Sequence, residues 1–393
     1  MTTTTHTPRP RYAGAPLDNE KLAREEYRQG NTVLESLPPV VTFAVTTFCN
    51  NMIPCLICDR NVRQRISDRE CNERVIRAME PLIKTAKVLL LHCGGEAMFS
   101  KHFDTLVRAV EPPTRVSFAT NAMLMGRRRA ELMLERDVMT KIVVSMDAAT
   151  PELYRVMRPS SAFSTVTGNV RYYVQCAKAR GRKDARVELN MTICKTNLND
   201  IPTLVDLACE LGARSVSYGR LNPGLDYTAK TVDDGDWNYY DQSHFDPSAS
   251  DQKILEAYER AKASGIEMTF SGTPFIGPGA SSVCPSIVRD LQGIAPFAES
   301  KEDEWSSPRH KALQAPPCFK PWREICVQPD GEIRLCYFHD YPRCSLGNVL
   351  DGDFMNIWNS PRIVAERESF LANGVSLESC AQSPSVCVHR GRT

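Results

Sequence analysis

The chain has 393 residues, 42% of them hydrophobic, enough for one large domain or a large domain with a satellite. Forty-eight lysines and arginines against 47 acids leave a formal net charge of +1, which gives no electrostatic footprint for nucleic acid or an anionic membrane. The longest apolar runs, such as Val88 to Leu91, fall far short of a bilayer span, and the start MTTTTHTPRPRYAG is polar with no secretory core, so a soluble, cytoplasmic protein with reduced thiols is expected.

Residues 1–36 read as a tail with an outer helix around Leu22 to Tyr27. From Val40 onward short β-branched runs alternate with amphipathic stretches. The expected strands are Val41 to Thr47, Val88 to His92, Arg115 to Thr120, Lys141 to Met146, Val187 to Ile193 and Ser215 to Leu221. Between them Cys71 to Ile83, Lys101 to Val110, Arg127 to Glu135, Val166 to Arg180 and Ile201 to Leu211 place apolar residues at helical spacing. Six strand–helix repeats predict an α/β fold with a parallel sheet built from right-handed crossovers. Residues 222–252 are rich in Asp, Asn, Ser and aromatics without a period, and such a loop is more often functional than idle. A helix over Asp251 to Ser264 and an edge strand over Ile266 to Phe270 follow. Residues 273–317, first Gly/Pro/Ser-rich and then charged, read as a linker to a cysteine-rich segment, 318–393.

Fifteen cysteines in a chain without export features point to metal or cluster ligation. Cys49, Cys55 and Cys58 lie on one short loop after the first strand, and three thiolates so placed can hold three irons of a cubane cluster and leave the fourth open. Zinc is the alternative, but Cys71 and His92 offer no fourth ligand at structural spacing. Cys318, Cys326, Cys336, Cys344, Cys380 and Cys387 form a second group; Cys71, Cys93, Cys176, Cys194, Cys209 and Cys284 are scattered and read as core thiols. The second, third and fourth strands end in HCGGEA, ATNA and SMDAA, small and polar residues suited to ligand contact at the carboxyl edge of a parallel sheet. Pro329, Asp330 and Gly331 make a hairpin turn.

With these motifs in this order, the chain resembles radical S-adenosylmethionine (SAM) enzymes that carry a C-terminal twitch or SPASM-type auxiliary-cluster domain, over roughly residues 40 to 390. The family's usual C-x3-C-x2-C stands here as C-x5-C-x2-C, with Asn50 to Pro54 between the first two cysteines. The resemblance implies a partial (β/α)6 TIM-like barrel over residues 37–272 and a [4Fe–4S] cluster on Cys49, Cys55 and Cys58 that binds SAM. Gly94, Gly95 and Glu96 match the element that binds the SAM amino group. Thr120 and Asn121 match the third-strand motif; Ser145 and Asp147 match the fourth, whose serine reaches the methionyl or ribose portion. Arg158 matches a position that pairs with the SAM carboxylate. In residues 318–393, Cys318, Cys336, Cys380 and Cys387 follow the order of four auxiliary ligands, with Cys326 and Cys344 in excess, so one auxiliary [4Fe–4S] cluster is favoured and a zinc ribbon is the alternative.

The implied activity is reductive cleavage of SAM, with an electron from a donor such as flavodoxin or ferredoxin, and hydrogen abstraction by the 5′-deoxyadenosyl radical. Dehydrogenation or epimerisation would follow. Epimerisation needs a thiol outside both clusters, for which Cys284 is the first candidate and Cys194 the second. Glu188, Asn190, Tyr218, Arg220 and Asn222 at the later strand ends suit a hydroxyl-rich small molecule, a sugar or cyclitol of natural-product biosynthesis. A ribosomal-peptide maturase is the alternative, set second because residues 1–36 are too short for a leader-binding domain. A non-catalytic zinc or cluster scaffold is the reading of a different class.

Overall fold

The computed structural model describes residues 16–58, 69–92, 94–182, 186–221, 227–292, 318–335 and 345–373. Its elements run α1 (Pro16–Gln29), β1 (Val40–Phe43), α2 (Glu73–Thr85), β2 (Val88–Leu91), α3 (Phe103–Ala109), β3 (Arg115–Thr120), α4 (Arg127–Arg136), β4 (Met139–Ser145), α5 (Pro151–Met157), α6 (Phe163–Ala179), β5 (Arg186–Ile193), α7 (Ile201–Leu211), β6 (Ser215–Arg220), β7 (Thr228–Lys230), β8 (Asp236–Asn238), α8 (Tyr239–Ser243), α9 (Pro247–Ser264), β9 (Glu267–Ser271), α10 (Pro285–Gln292), α11 (Lys320–Arg323), β10 (Glu324–Val327), β11 (Ile333–Arg334), α12 (Phe354–Trp358) and α13 (Pro361–Asn373).

Local chemistry accounts for the element ends. Asn72 caps α2 by accepting from the amides of Arg74 and Val75, and the helix then buries Val75, Met79, Leu82 and Ile83 on one side. Gly212 closes α7 in the left-handed region, at φ +72°, where a side chain would be strained. Asp246 caps α9 through the Ser248 amide.

Among the described residues the main sheet has nine strands in the order β11-β10-β1-β2-β3-β4-β5-β6-β9, and every pair is parallel except β10 with β11. Alternate residues decide what each face does. Val41, Phe43, Leu89, Leu91, Phe118, Val144, Leu189, Met191 and Val216 belong to the buried apolar cluster shared with the helices, whereas Thr42, Ser117, Ser145, Glu188, Asn190 and Ser217 point to the other face. Helices thus cover one face and leave a polar inner one. This is the expected α/β architecture of a partial barrel, not a sheet wound on both sides. No helix among the described residues is long and apolar enough to cross a membrane.

Three features depart from the sequence reading. Strand β1 ends at Phe43 because the chain leaves the sheet and closes a neck instead, with Cys71 N donating to Val45 O at 2.9 Å and Thr47 N to Arg69 O at 2.8 Å. The stretch read as a linker contains α10, which packs on β9 and buries Leu291. Strand β10 pairs in parallel with β1, Val40 opposite Glu324 and Phe43 opposite Val327, so the sheet itself runs across the boundary expected at residue 318.

The N-terminal helix is likewise more than an outer element. The indole of Trp322 donates to Asn31 O at 2.6 Å and meets Tyr27 edge-on, and Asn359 both accepts from Leu34 N at 2.8 Å and donates to Leu34 O at 2.7 Å. Arg367 is fully buried over the Trp358 ring and donates to Pro321 O and Thr32 O; burial pushes its guanidinium down to about 9. Residues 16–36 are therefore fastened to the C-terminal segment. Residues 1–15 lie outside the described set.

Candidate active site at the carboxyl edge of the sheet

The three cysteines stand on the loop that leaves β1. Cys55 is buried, and Cys49 and Cys58 are half-buried. Asn51, within the stretched C-x5-C segment, donates its amide N–H to the Cys49 sulfur at 3.5 Å and its side-chain Nδ2 to the Cys55 sulfur at 3.3 Å, so one residue draws the first two thiols together. Cys58 N donates to Cys55 O at 2.9 Å, closing the C-x2-C turn, and Leu56 N donates to Met157 O at 3.1 Å. The Ser160 hydroxyl accepts from Ile53 N at 2.7 Å and fixes the apex, which leaves Met52 and Ile53 exposed.

The GGE element lies against this loop. A Cβ on Gly95 would stand 2.0 Å from Phe48 O, and Glu96 N donates to the same oxygen at 2.8 Å. Only glycine permits that approach. Around Gly94 the space is open, with no atom within 4 Å of a built Cβ.

Glu96, matched above to the element that binds the SAM amino group, is also tied into the strand ends. It is buried and accepts from Thr120 Oγ1 at 2.8 Å, Asn121 N at 2.7 Å and Met98 N at 3.2 Å, which ties the end of β2 to the end of β3. Burial pushes its carboxyl upward, partly opposed by these hydrogen bonds. Asn121 passes the link on, donating from Nδ2 to Asn50 Oδ1 at 2.8 Å and to the Cys49 sulfur at 3.8 Å.

Arg158 is likewise committed within the protein. It is buried, pairs with Asp147, and donates from Nη1 to the Cys55 sulfur at 3.5 Å. Burial alone would lower its guanidinium, but Asp147, Cys55 and Tyr154 outweigh that and raise it, so the cation is secure. Asp147 itself sits at φ +58°, accepts from Thr192 N at 2.8 Å, and is braced by Asn197 Nδ2 on its carbonyl at 2.9 Å. The same Asn197 accepts from Cys194 N, which puts Cys194 behind Asp147 in the apolar core, where burial pushes its thiol up to about 12. Cys284 stands elsewhere, exposed before α10, with its sulfur 3.0 Å from the Ser286 hydroxyl, a bond that lowers its thiol. Neither candidate hydrogen donor meets the three-cysteine loop.

The expected substrate contacts divide by face. Ser145 is half-buried and registers with Asn190 on the inner face. Glu188 there pairs with Lys141 at 2.6 Å and accepts from Ser215 and Ser217, while Asn190 donates to the Ser217 hydroxyl at 3.0 Å. Tyr218 points the other way, fully buried with its hydroxyl on Ile201 O at 2.7 Å. Arg220 also serves the helical side, pairing with Asp251 at 3.1 Å, donating to Thr273 O and Pro274 O, and lying over the Phe270 ring. Two residues apart on one strand, the pair shares the helical face, whereas Glu188 and Asn190 share the inner one. Asn222 lies outside the described residues.

In the C-terminal segment Cys318 and Cys326 are buried, and Cys326 sits opposite Thr42, on the inner face of β10. The hairpin turn takes the expected form, with Gly331 at φ +87° against Asn348. Cys336, Cys344, Cys380 and Cys387 lie outside the described residues. Among the described residues no group of three or more His, Cys, Asp or Glu side chains is drawn to metal-binding spacing. The residues nonetheless fit a thiolate-held cluster with a ligand beside it. Two sulfurs share Asn51, donors from Asn121 and Arg158 aim at sulfur, and the buried Asn51 Oδ1 and Arg158 Nε have no partner in the structure as described.

Residues 318–384 match the SPASM iron–sulfur cluster-binding domain family. The antilisterial bacteriocin subtilosin biosynthesis protein AlbA of Bacillus subtilis (strain 168) is 19% identical over 332 residues, which is 83% of this chain and 61% of that protein. A probable GTP 3′,8-cyclase of Methanosarcina mazei is 29% identical over 116 residues, 29% of this chain and 32% of that protein. The chain thus spans less than two thirds of the length of these relatives. In fold it is similar to Streptococcus suis SuiB bound to precursor peptide SuiA, at a TM-score of 0.58 and 15% identity over 89% of this chain and 70% of that one. It is also similar to anSMEcpe with bound AdoMet, at 0.56 and 14% identity over 89% and 85%.

Proposed function

We propose that this chain, a member of the radical SAM superfamily with a C-terminal SPASM domain, modifies a peptide by removing hydrogen from one of its carbons. Its cofactors are a [4Fe–4S] cluster on Cys49, Cys55 and Cys58, SAM, and at least one auxiliary [4Fe–4S] cluster in the SPASM domain. With one electron from an external donor of the flavodoxin or ferredoxin kind, the first cluster and SAM would supply a 5′-deoxyadenosyl radical that takes one hydrogen atom, and the auxiliary cluster would accept the electron left when the peptide radical loses a proton.

The chain's own residues do the positioning. Asn51, Asn121 and Arg158 set the donors around the sulfurs. The open space at Gly94 is where a ligand's polar group can approach backbone, and Glu96, Asp147 and Asn197 hold the strand ends that face it. The polar inner face of β4 to β6 then orients the substrate.

The peptide class rests on one observation, the match along 83% of the chain to a bacteriocin biosynthesis protein. The carbohydrate-like ligand that the strand ends suggested loses Tyr218 and Arg220, which serve the helices. For the outcome we infer oxidation over epimerisation, because Cys194 is sealed in the core and Cys284 is exposed just before α10 with its sulfur on the Ser286 hydroxyl.

The test is anaerobic reconstitution. The protein should be brown, cleave SAM to 5′-deoxyadenosine with a reductant, and remove hydrogen from a peptide encoded beside its gene, read as a mass loss of two hydrogens. A colourless zinc protein without SAM cleavage overturns the radical reading. Label transfer from deuterated sugars but not from deuterated peptide overturns the substrate class.

A further inference from the structure

The hairpin β7–β8, in the aromatic-rich stretch after β6, has no part in the chemistry above, yet it reaches the three-cysteine loop. Strands of three residues do not hold a hairpin alone. This one is built around Tyr227, Trp237 and Tyr239, with ring centroids 4.8 Å apart for the two tyrosines and 5.9 Å for Trp237 and Tyr239, and with Trp237 and Tyr239 buried. Tyr239 N donates to Tyr227 O at 2.8 Å. Polar ties fasten it to its surroundings: Arg155 of α5 to Asp233 at 3.1 Å, Lys195 to Asp241 at 2.9 Å, and the Thr196 hydroxyl to Gln242 at 2.7 Å. From that frame the Tyr227 hydroxyl lies 2.6 Å from Leu56 O and 3.3 Å from Cys58 O, two carbonyls of the C-x2-C turn.

We propose that Tyr227 is a positioning residue for the Cys55–Cys58 turn and that the Tyr227–Tyr239 hairpin is the cover of that turn, fixing how two of the three cluster thiolates are presented and keeping water from them. A phenol suits the task. Its ring has only two rotatable bonds, both locked by the aromatic stack, so its hydroxyl is held at a fixed place. The carbonyls it engages belong to residues whose amides fasten the turn, Leu56 N to Met157 O at the end of α5 and Cys58 N to Cys55 O within the turn. Losing the hydroxyl frees the outer side of the turn while leaving the stack intact.

This inference rests on the reading of Cys49, Cys55 and Cys58 as cluster ligands, so its test has a part that needs no cluster. In the apo full-length chain, Tyr227→Phe should leave the melting temperature unchanged and raise amide hydrogen exchange at Leu56 and Cys58 roughly fivefold or more. Trp237→Leu, which loosens the stack, should raise exchange at the same two amides by a second route, with a lowered melting temperature that Tyr227→Phe does not show. In the reconstituted protein, cluster absorbance should bleach in air several times faster in both variants than in the parent. Unchanged exchange, or faster exchange with an unchanged bleaching rate, overturns the proposal. A parent chain that takes up no iron defeats the cluster reading instead, and the apo exchange still decides whether Tyr227 holds the turn.

Discussion

Arg69, in the neck of the three-cysteine loop, forms an ion pair with Asp330 at the tip of the β10–β11 turn. Arg69 also donates its amide to Thr47 Oγ1 at 2.7 Å and accepts from Thr47 N, so the turn of the C-terminal hairpin touches the hinge from which the cysteine loop springs. Both partners are about a third or more exposed, and such a pair contributes only ~0–1 kcal/mol. Asp330→Asn is therefore expected to leave global stability nearly unchanged. Its signature is local: faster amide exchange at Thr47 and Arg69, measured on the full chain. A melting temperature lowered by many degrees would give the pair a weight its exposure does not allow.

The two glycines of the GGE element separate a packing requirement from a ligand requirement. Gly95→Ala drives a methyl into Phe48 O, backbone that cannot yield cheaply, and should destabilise the fold by about 1–3 kcal/mol or abolish it. Gly94→Ala meets open space and should fold like the parent. Its loss should appear as weaker SAM binding by calorimetry on the reconstituted protein. Equal stability of the two variants would contradict the geometry of the loop.

The sequence revealed the strands well because β-branched runs and turn residues alternate with helical spacing, and Arg115–Thr120 and Ile201–Leu211 fall where the pattern puts them. The same pattern could not tell which face a polar residue takes at a strand end. Tyr218 and Arg220 look like ligand contacts as text, but period two puts both on the helical side with Val216. Motif matching named Glu96 and Arg158 but not their partners, since Thr120 and Asp147 stand 24 and 11 residues away at neighbouring strand ends and Cys55 stands 103 residues away. Asn51 was hidden inside the stretched C-x5-C spacing, whose extra length supplies a residue that binds both flanking sulfurs. The pairing of β10 with β1 joins segments nearly three hundred residues apart, and no local signal carries that.

Glu96 gives the apo protein a pH dependence of known sign. Its carboxyl is raised in the folded state by burial, so folding favours the protonated form, and the stability that brings is complete below the ordinary glutamate range. That stability is lost as the pH climbs through the raised value. Glu96→Gln removes the titration and sets an amide N–H against the donors Asn121 N or Thr120 Oγ1, at about 1–3 kcal/mol. Denaturant unfolding of both proteins from pH 4 to 8 should therefore show the gap between parent and variant shrinking toward high pH. A gap that widens would reverse the sign of the shift.

The Asp147–Arg158 pair should be the costliest single link to break. Both side chains are buried, Asp147 is held in a left-handed backbone conformation, and its carboxylate also receives Thr192 N. Removing one partner of such a pair strands the other charge in the interior, at about 3–5 kcal/mol. Asp147→Asn leaves the Arg158 cation opposite a neutral amide, whereas Arg158→Lys keeps the charge but surrenders the reach that places Nη1 on the Cys55 sulfur. Asp147→Asn should thus lose more stability in chemical denaturation than Arg158→Lys, while Arg158→Lys should still perturb the reconstituted cluster through that sulfur. The double variant separates the contributions: if the two losses add, the residues are not coupled, and the route from β4 through Arg158 to the cysteine loop does not exist.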